Sequence, residues 1–139
     1  MQEFFQVKVF PRTSIDNSRR VRQQAHGLQG HIAVLYGKRF ARHMSDVIGA
    51  WIVGLFDNDK SVSKSAQESF RLVFSSEEKY NNVWKIYQSD IACFCKDFLE
   101  RESPNTLSDE RTTSPDDANS KFSRTLAAVI VTLTHLIGM

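Results

Sequence analysis

The chain has 139 residues and a formal net charge of +2, with 41% hydrophobic and 24% charged residues. This composition is ordinary for a globular chain, and the length suits one domain that buries most of its apolar surface. It excludes collagen-like, disulfide-stapled and wholly disordered classes, and the longest apolar stretch, 126–137, is shorter than the ~20 residues that a membrane helix needs.

The positive charge is concentrated near the amino terminus. Residues 1–45 carry eight Lys or Arg against two acidic residues, whereas the remainder carries ten basic and fourteen acidic residues. A basic end on a nearly neutral chain favours a polyanionic or acidic partner at that end, but solvated helix faces produce the same asymmetry. Both interpretations stay open.

Cysteine usage and the first residues bear on the compartment. The cysteines, Cys93 and Cys95, are two apart and would point to different sides of a helix, so we expect reduced thiols in an intracellular protein of the cytosol. The first residues lack a basic segment followed by an apolar run, so no secretory signal is predicted.

Helical spacing of apolar residues recurs along the chain, and no strand pattern competes with it. It predicts five helices, at about 17–36, 38–56, 59–74, 82–101 and 119–137, with a polar link at 75–82 and an exposed loop at 103–118. Residues 4–10 resemble the tail of a further helix that Pro11 would end. The sequence therefore predicts an all-α fold.

The first two helices carry specific expectations. In the first, one apolar face is predicted from Val21, Ala25, Leu28, Ile32 and Leu35. Gly27 and Gly30 interrupt that helix and would let a neighbouring helix approach closely. In the second, Trp51 lies in the middle of a broad apolar stripe and is predicted to be core, whereas Trp84 further on could equally anchor an interface.

One pattern repeats at a fixed offset of 41 residues. Asp16, Val21 and Ala25 recur as Asp57, Val62 and Ala66. A period of about 40 built from two helices and a polar turn is typical of HEAT and armadillo arrays. We therefore predict a HEAT/armadillo-like α-solenoid of stacked antiparallel helix pairs, and we expect Arg22 to bond Asp57 across adjacent repeats.

Binding rather than chemistry is the work expected of such a fold. No serine-elbow, phosphate-loop or zinc-protease motif occurs, and the histidines lack metal-ligand spacing, so no catalytic residue, metal site or cofactor is predicted. The predicted binding residues are the arginines that flank the first repeat's helices: Arg19, Arg20, Arg22, Arg39 and Arg42. A solvated helix face is the alternative for this cluster.

Several segments together resemble the listerin family of RING-type E3 ubiquitin ligases, in its N-terminal region. They are residues 14–22 (SIDNSRRVR), 49–51 (GAW), 66–70 (AQESF), 92–97 (ACFCKD) and 102–109 (ESPNTLSD), followed by the helix that Phe122 opens. The resemblance runs from about Pro11 to the end of the chain. The usual start of the repeat region is missing before Phe4, and the last apolar helix lacks a polar cap, so the chain is expected to be a piece of a longer one.

The resemblance implies a function in ribosome-associated quality control. In that family a long solenoid docks on a 60S ribosomal subunit that still holds peptidyl-tRNA, beside a partner factor that senses this state. A distant zinc-binding RING recruits an E2 and ubiquitinates the stalled nascent chain. With two cysteines this chain cannot supply a RING, so zinc and the E2 are expected only at the RING of the full-length ligase. Neither a membrane nor DNA is an expected partner.

Two hypotheses of different classes follow. In the first, the chain is a ribosome-docking module whose arginines face ribosomal RNA or an acidic surface of the partner factor. In the second, it is a purely structural repeat segment or interaction scaffold that contacts only neighbouring repeats. An independent enzyme has no supporting residues.

Overall fold

A computed structural model describes residues 5–139, apart from the side chain of Val7. The helices are a π-helical turn (Phe5–Val9), α1 (Phe10–Thr13), α2 (Arg19–Tyr36), a 3-10 helix (Gly37–His43), α3 (Met44–Gly54), α4 (Lys60–Val73), α5 (Glu77–Ile86), α6 (Gln88–Arg101), α7 (Pro104–Leu107) and α8 (Pro115–Ile137). No strand occurs among these residues, which confirms the all-α prediction.

The turns before α2 and α4 have the same hydrogen-bonded geometry. The Oδ1 atom of Asp16 accepts the backbone N–H of Ser18 at 2.8 Å, and that of Asp57 accepts the N–H of Asp59 at 2.9 Å. Ser18 and Asp59 are then the N-caps of the two helices. Since each aspartate side chain closes its own turn, the repeated motif determines the local backbone directly.

The 41-residue register continues into the two helices. Val21 and Val62 are both the third residue of their helix, and each donates its N–H to the N-cap side chain at 3.3 Å. Ala25 and Ala66, one turn further on, are both buried. The predicted equivalence of these positions is confirmed.

Helices α2 and α4 lie side by side and run parallel. The Ser65 hydroxyl donates to the carbonyl of Gln23 at 2.9 Å, and further along Gly30 packs on Ser69. A Cβ atom on Gly30 would lie 2.6 Å from the Ser69 Cβ and 2.9 Å from its Cα, whereas one on Gly27 would meet only the Ser65 hydroxyl at 3.9 Å. The close approach predicted for these glycines is therefore confirmed at Gly30.

Helix α3 lies at the centre of the core. It packs against α4, α6 and α8, and all residues from Val47 to Leu55 are buried, as expected of a helix that is apolar on every side. The indole N–H of Trp51 donates to the Ser69 hydroxyl at 3.1 Å, and the Phe70 ring meets the indole edge to face. Trp51 is core, as predicted. Trp84, for which core packing and an interface were both open, is also fully buried and belongs to the core.

The pairing of helices is compatible with a HEAT-like array. The first helix of one pair, α2, stacks on the first helix of the next, α4, and the second helix, α3, stacks on α6. Helix α8 lies against both α3 and α6, so it adds a third helix to the packing of the second helices.

The predicted apolar face of α2 is only partly right: Ala25 is buried and Ile32 packs on the core, but the two leucines do not. Leu28 and Leu35 are exposed, while polar side chains on a neighbouring face, His26 and Gln29 among them, are fully buried. The reason is the close approach at Gly30: only small residues fit against α4 there, so α2 presents alanine and glycine to its neighbour rather than leucine.

The helices in the middle of the chain also differ from prediction, at three points. The predicted helix at 82–101 is two helices that meet at Tyr87, and α5 already begins at Glu77, so the predicted polar link at 75–82 is wrong. Ser76 caps α5 by accepting the N–H of Lys79, and acidic residues in the first turn favour the helix dipole. The predicted helix at 38–56 is a 3-10 helix up to His43.

Prolines begin helices here rather than ending them. Pro11 lies in the first turn of α1, where its missing N–H costs nothing, so the helix continues to Thr13; Phe4 lies outside the described residues. The predicted loop at 103–118 contains α7, which starts at Pro104, and α8 begins at Pro115 with Ser114 as its cap.

Candidate functional site

The structure does not bring the predicted binding arginines together. Arg19 and Arg20 form the first turn of α2, whereas Arg39 and Arg42 lie on the 3-10 helix that follows its last residue. The 18 residues of α2 separate the two pairs by ~27 Å at the usual helical rise. The basic surface is therefore two clusters at opposite ends of one helix.

The turn cluster consists of Arg19 and Arg20. The Arg19 side chain is 76% exposed, and its Nη1 atom lies 3.7 Å from a carboxylate oxygen of Asp59. The aspartates of both repeated turns lie at this same end of the domain. One of the two cations of the turn cluster therefore has a carboxylate beside it, although the pair is exposed and weak.

Arg22 is buried, so its predicted place on the binding surface is wrong. Its Nε and Nη2 atoms donate to both carboxylate oxygens of Asp57, at 2.9 and 3.3 Å, and only 4% of its side chain is exposed. Its Nη1 atom donates to the carbonyls of Asp16 and Asn17 at 2.8 and 3.2 Å. The predicted Arg22–Asp57 pair across the repeats is thus confirmed, and it holds one turn against the next.

A second arginine, which the sequence analysis did not single out, reinforces this junction from the far end of the chain. The Nη2 atom of Arg124, on α8, donates to the carbonyls of Ile15 and Asp16 at 2.6 and 3.1 Å. Burial, with the neighbouring charge of Arg22, lowers the pKa of Arg124. Because 108 residues separate Arg124 from Asp16, no local sequence signal could have revealed the contact.

The corner cluster, defined as Lys38, Arg39 and Arg42, lies on the 3-10 helix. Phe40 is buried and anchors this helix on the core, and the three-residue period then places Arg39 and Arg42 on one exposed face. Gly37 makes the preceding sharp turn with φ +52°, a conformation that favours glycine. Lys38 was not predicted as a site residue, although the basic run 38–39 was a signal for it.

No ion pair neutralises the corner cluster. Among residues 5–139, no carboxylate oxygen lies within 4.0 Å of its three cationic groups, although Asp46 follows shortly in sequence. Cations without a partner can contact an anionic surface without first losing an internal one. Of the two clusters, the corner cluster is the stronger candidate for binding an acidic or polyanionic partner.

A polar groove of about 670 Å³ runs between residues 11–16, which include the Asp16 turn, and the 102–109 segment. Its lining includes both signs of charge, among them Arg12, Glu102, Asp109 and Lys121. The Lys121 ammonium donates to the carbonyl of Leu107 at 2.9 Å, and burial lowers the pKa of Lys121. These contacts hold the 102–109 segment against α8.

Residues 5–139 include every histidine and cysteine of the chain, the residue types that most often bind metal ions. No group of three or more His, Cys, Asp or Glu side chains in this part of the chain is arranged to hold a metal ion. No helix within it is long and apolar enough to span a bilayer. Cys93 is exposed, whereas Cys95 is buried and its pKa is raised to about 11 by burial, which makes its thiol a poor nucleophile.

His26 is buried as a neutral side chain. Its ring meets Phe10 edge to face at 5.5 Å between centroids and packs against Gly54, and neither ring nitrogen has a hydrogen-bond partner among the described residues. Burial lowers the pKa of His26 from 6.5 to about 4. The folded chain therefore binds fewer protons than the unfolded chain between these two values.

We expect the free energy of unfolding to fall as the pH drops below 6.5, by about 3 kcal/mol between pH 7 and pH 4 from His26 alone. Urea titrations at several pH values would measure it. His26→Met should lose that part of the pH dependence, whereas His31→Asn, an exposed position on the same helix, should keep it. The same pH dependence in all three chains would contradict the assignment.

These observations define a class: an all-α domain of stacked helix pairs with a repeated aspartate turn and an unpaired basic corner. The chain belongs to the listerin family, since the family model "E3 ubiquitin-protein ligase listerin, N-terminal domain" matches residues 3–139. The resemblance predicted from its motifs is confirmed.

Similar proteins named E3 ubiquitin-protein ligase listerin occur in distant organisms. The one from Neurospora crassa is 32% identical over 94% of this chain, the one from Schizosaccharomyces pombe 34% over 92%, and the one from Gallus gallus 26% over 95%. The matched region is 8% of the first two relatives and 7% of the third. The chain thus spans a small part of the length of the relatives it matches.

Proposed function

We propose that this chain docks a listerin-type E3 ubiquitin ligase on 60S subunits that hold peptidyl-tRNA, so that stalled nascent chains are ubiquitinated in the cytosol. The observation that carries the proposal is the family match over residues 3–139. In this proposal the chain binds and positions. The ubiquitin transfer, with its zinc and its E2, belongs to a RING elsewhere in a longer ligase.

The mechanism is positioning through several weak contacts. A contact made by one end of a long ligase is weak alone, but a second contact elsewhere on the same molecule raises the effective concentration at the first. The exposed cations of the corner cluster and the turn cluster supply such a contact to ribosomal RNA or to an acidic surface of the nascent-chain-sensing partner factor. An RNA contribution would weaken as salt is added.

Charge reversal tests this proposal. We expect Arg39→Glu/Arg42→Glu to lower co-sedimentation of the chain with 60S–peptidyl-tRNA particles several-fold, and Arg19→Glu/Arg20→Glu to lower it less because Arg19 already has a carboxylate, that of Asp59, beside it. Arg111→Glu, at an exposed arginine outside both clusters, is the control and should sediment like the unaltered chain. Unchanged sedimentation of both double variants would exclude these clusters as the docking surface.

The alternative, a purely structural repeat segment, is favoured by one observation. Ile130 and Ile137 on α8 are exposed, as expected where a further helix would cover them. This alternative predicts no binding of the chain to 60S particles at any salt concentration, which the same sedimentation experiment would show.

A further inference from the structure

We propose that the corner cluster and the exposed aliphatic side chains beside it bind an acidic protein segment that carries an apolar anchor residue. The surface consists of Val34, Leu35 and Leu72 together with the three cations, and we call it the apolar-basic corner. The inference deepens the proposed function, because it rests on the same docking site and names the class of partner that the site takes.

The apolar part of this corner is unusually exposed for aliphatic side chains. Leu35 is 78% exposed and Val34 56% exposed, both in the last turn of α2 directly before the 3-10 helix. Leu72 on α4 is 54% exposed. Since α2 and α4 run parallel with Gly30 beside Ser69, Leu72 lies alongside the last turn of α2.

The same corner has a charge that only a partner can complement. Lys38, Arg39 and Arg42 have no carboxylate within 4.0 Å among residues 5–139. Arg22 and Arg19, by contrast, each pair with an aspartate of a repeated turn. Positive charge without an internal partner, beside exposed leucines, complements a segment of opposite charge that also has an apolar side chain to bury.

An acidic protein segment fits this corner better than RNA. Phosphate contacts need only the cations and gain nothing from exposed leucine, and bases stack on aromatic rings. The aromatic residue of this corner, Tyr36, is half-buried and packs on the core rather than standing free. Burying Leu35 against an apolar anchor would raise the affinity about tenfold or more.

Two probes separate these partner classes. One is a fluorescent amphipathic peptide with Glu and Asp on one face and Leu at helical spacing on the other; the second is an oligouridylate of the same net charge. Each is titrated with the chain and followed by fluorescence anisotropy. The peptide should bind more tightly than the oligouridylate at physiological salt.

The variants assign the contacts. Leu35→Ser should weaken peptide binding about tenfold and leave oligouridylate binding unchanged, whereas Arg39→Glu/Arg42→Glu should abolish binding of both probes. The control is Leu28→Ser, which alters an exposed leucine of the same helix two turns before Leu35 and should change neither titration. Coinciding thermal unfolding curves would show that the variants remain folded.

Three results would overturn the inference: no binding of the peptide, tighter binding of the oligouridylate, or no effect of Leu35→Ser on peptide binding. Sedimentation with 60S–peptidyl-tRNA particles shows whether the acidic-segment assignment or the proposed docking function is the one that is wrong. If reversing the cations abolishes sedimentation but the peptide does not bind, the docking function stands and the acidic-segment assignment is wrong. If the peptide binds as expected but no variant affects sedimentation, the assignment stands and the docking function is wrong.

Discussion

Replacing Gly30 by alanine is expected to lower the free energy of unfolding by about 3 kcal/mol, at the upper end of the usual cost of overpacking. The added Cβ would lie 2.9 Å from the Cα of Ser69, so relief requires a shift of the α4 backbone and not of a flexible side chain. A shift of the α4 backbone would also disturb the hydrogen bond from the Trp51 indole N–H to the Ser69 hydroxyl. Urea denaturation with linear extrapolation measures the change.

Gly27→Ala is the matched control, since both glycines lie on α2 one turn apart. Its Cβ would meet only the Ser65 hydroxyl at 3.9 Å, an ordinary contact. The intrinsic preference for alanine over glycine in a helix should then raise stability, by up to about 1 kcal/mol. Opposite signs at the two positions are the expected result, and equal effects would contradict the close approach at Gly30.

The second large effect is expected at the Arg22–Asp57 pair. Arg22→Met should cost about 3–5 kcal/mol, because it leaves the carboxylate of Asp57 buried without its partner. It also removes the donor to the carbonyls of Asp16 and Asn17. The same denaturation experiment measures the loss.

A double-mutant cycle isolates the pair. Asp57→Asn keeps the oxygen that accepts the N–H of Asp59 but removes the charge. The loss of unfolding free energy in the double variant should therefore be about 1–3 kcal/mol smaller than the sum of the losses in the two single variants. Arg19→Met is the control: its carboxylate partner lies 3.7 Å away at an exposed site, and the change should stay within about 0.5 kcal/mol. Strict additivity of the two single variants would contradict a coupled ion pair.

Local chemistry made much of the fold predictable. The repeated turns depend on residues that are close in sequence: an aspartate closes its own turn, and a cap two residues later accepts the N–H of Val21 or Val62. Helices α2 and α4 therefore begin and end within two residues of their predicted bounds. The Arg22–Asp57 pair was predictable for the same reason, because the 41-residue offset places equivalent turns side by side.

The candidate site was less predictable, because exposure depends on neighbours. Arg22 and Arg39 are alike in sequence terms, yet the first is buried in an ion pair and the second is exposed without one. Leu35 fits an apolar helical face, but the face that packs on α4 is chosen by the approach at Gly30. The apolar-basic corner is therefore visible only once the side chains that α4 covers are known.

The sequence by itself determined that the chain is helical, where the repeated turns lie and to which family it belongs, since caps, periodicity and motifs act over a few residues. Only the tertiary structure decided which face of α2 is buried, that Arg22 is buried while Arg39 and Arg42 are exposed, and that Arg124 closes on the first turn. These features depend on contacts between residues far apart in the chain, and the packing of whole helices selects among faces that are equivalent in sequence.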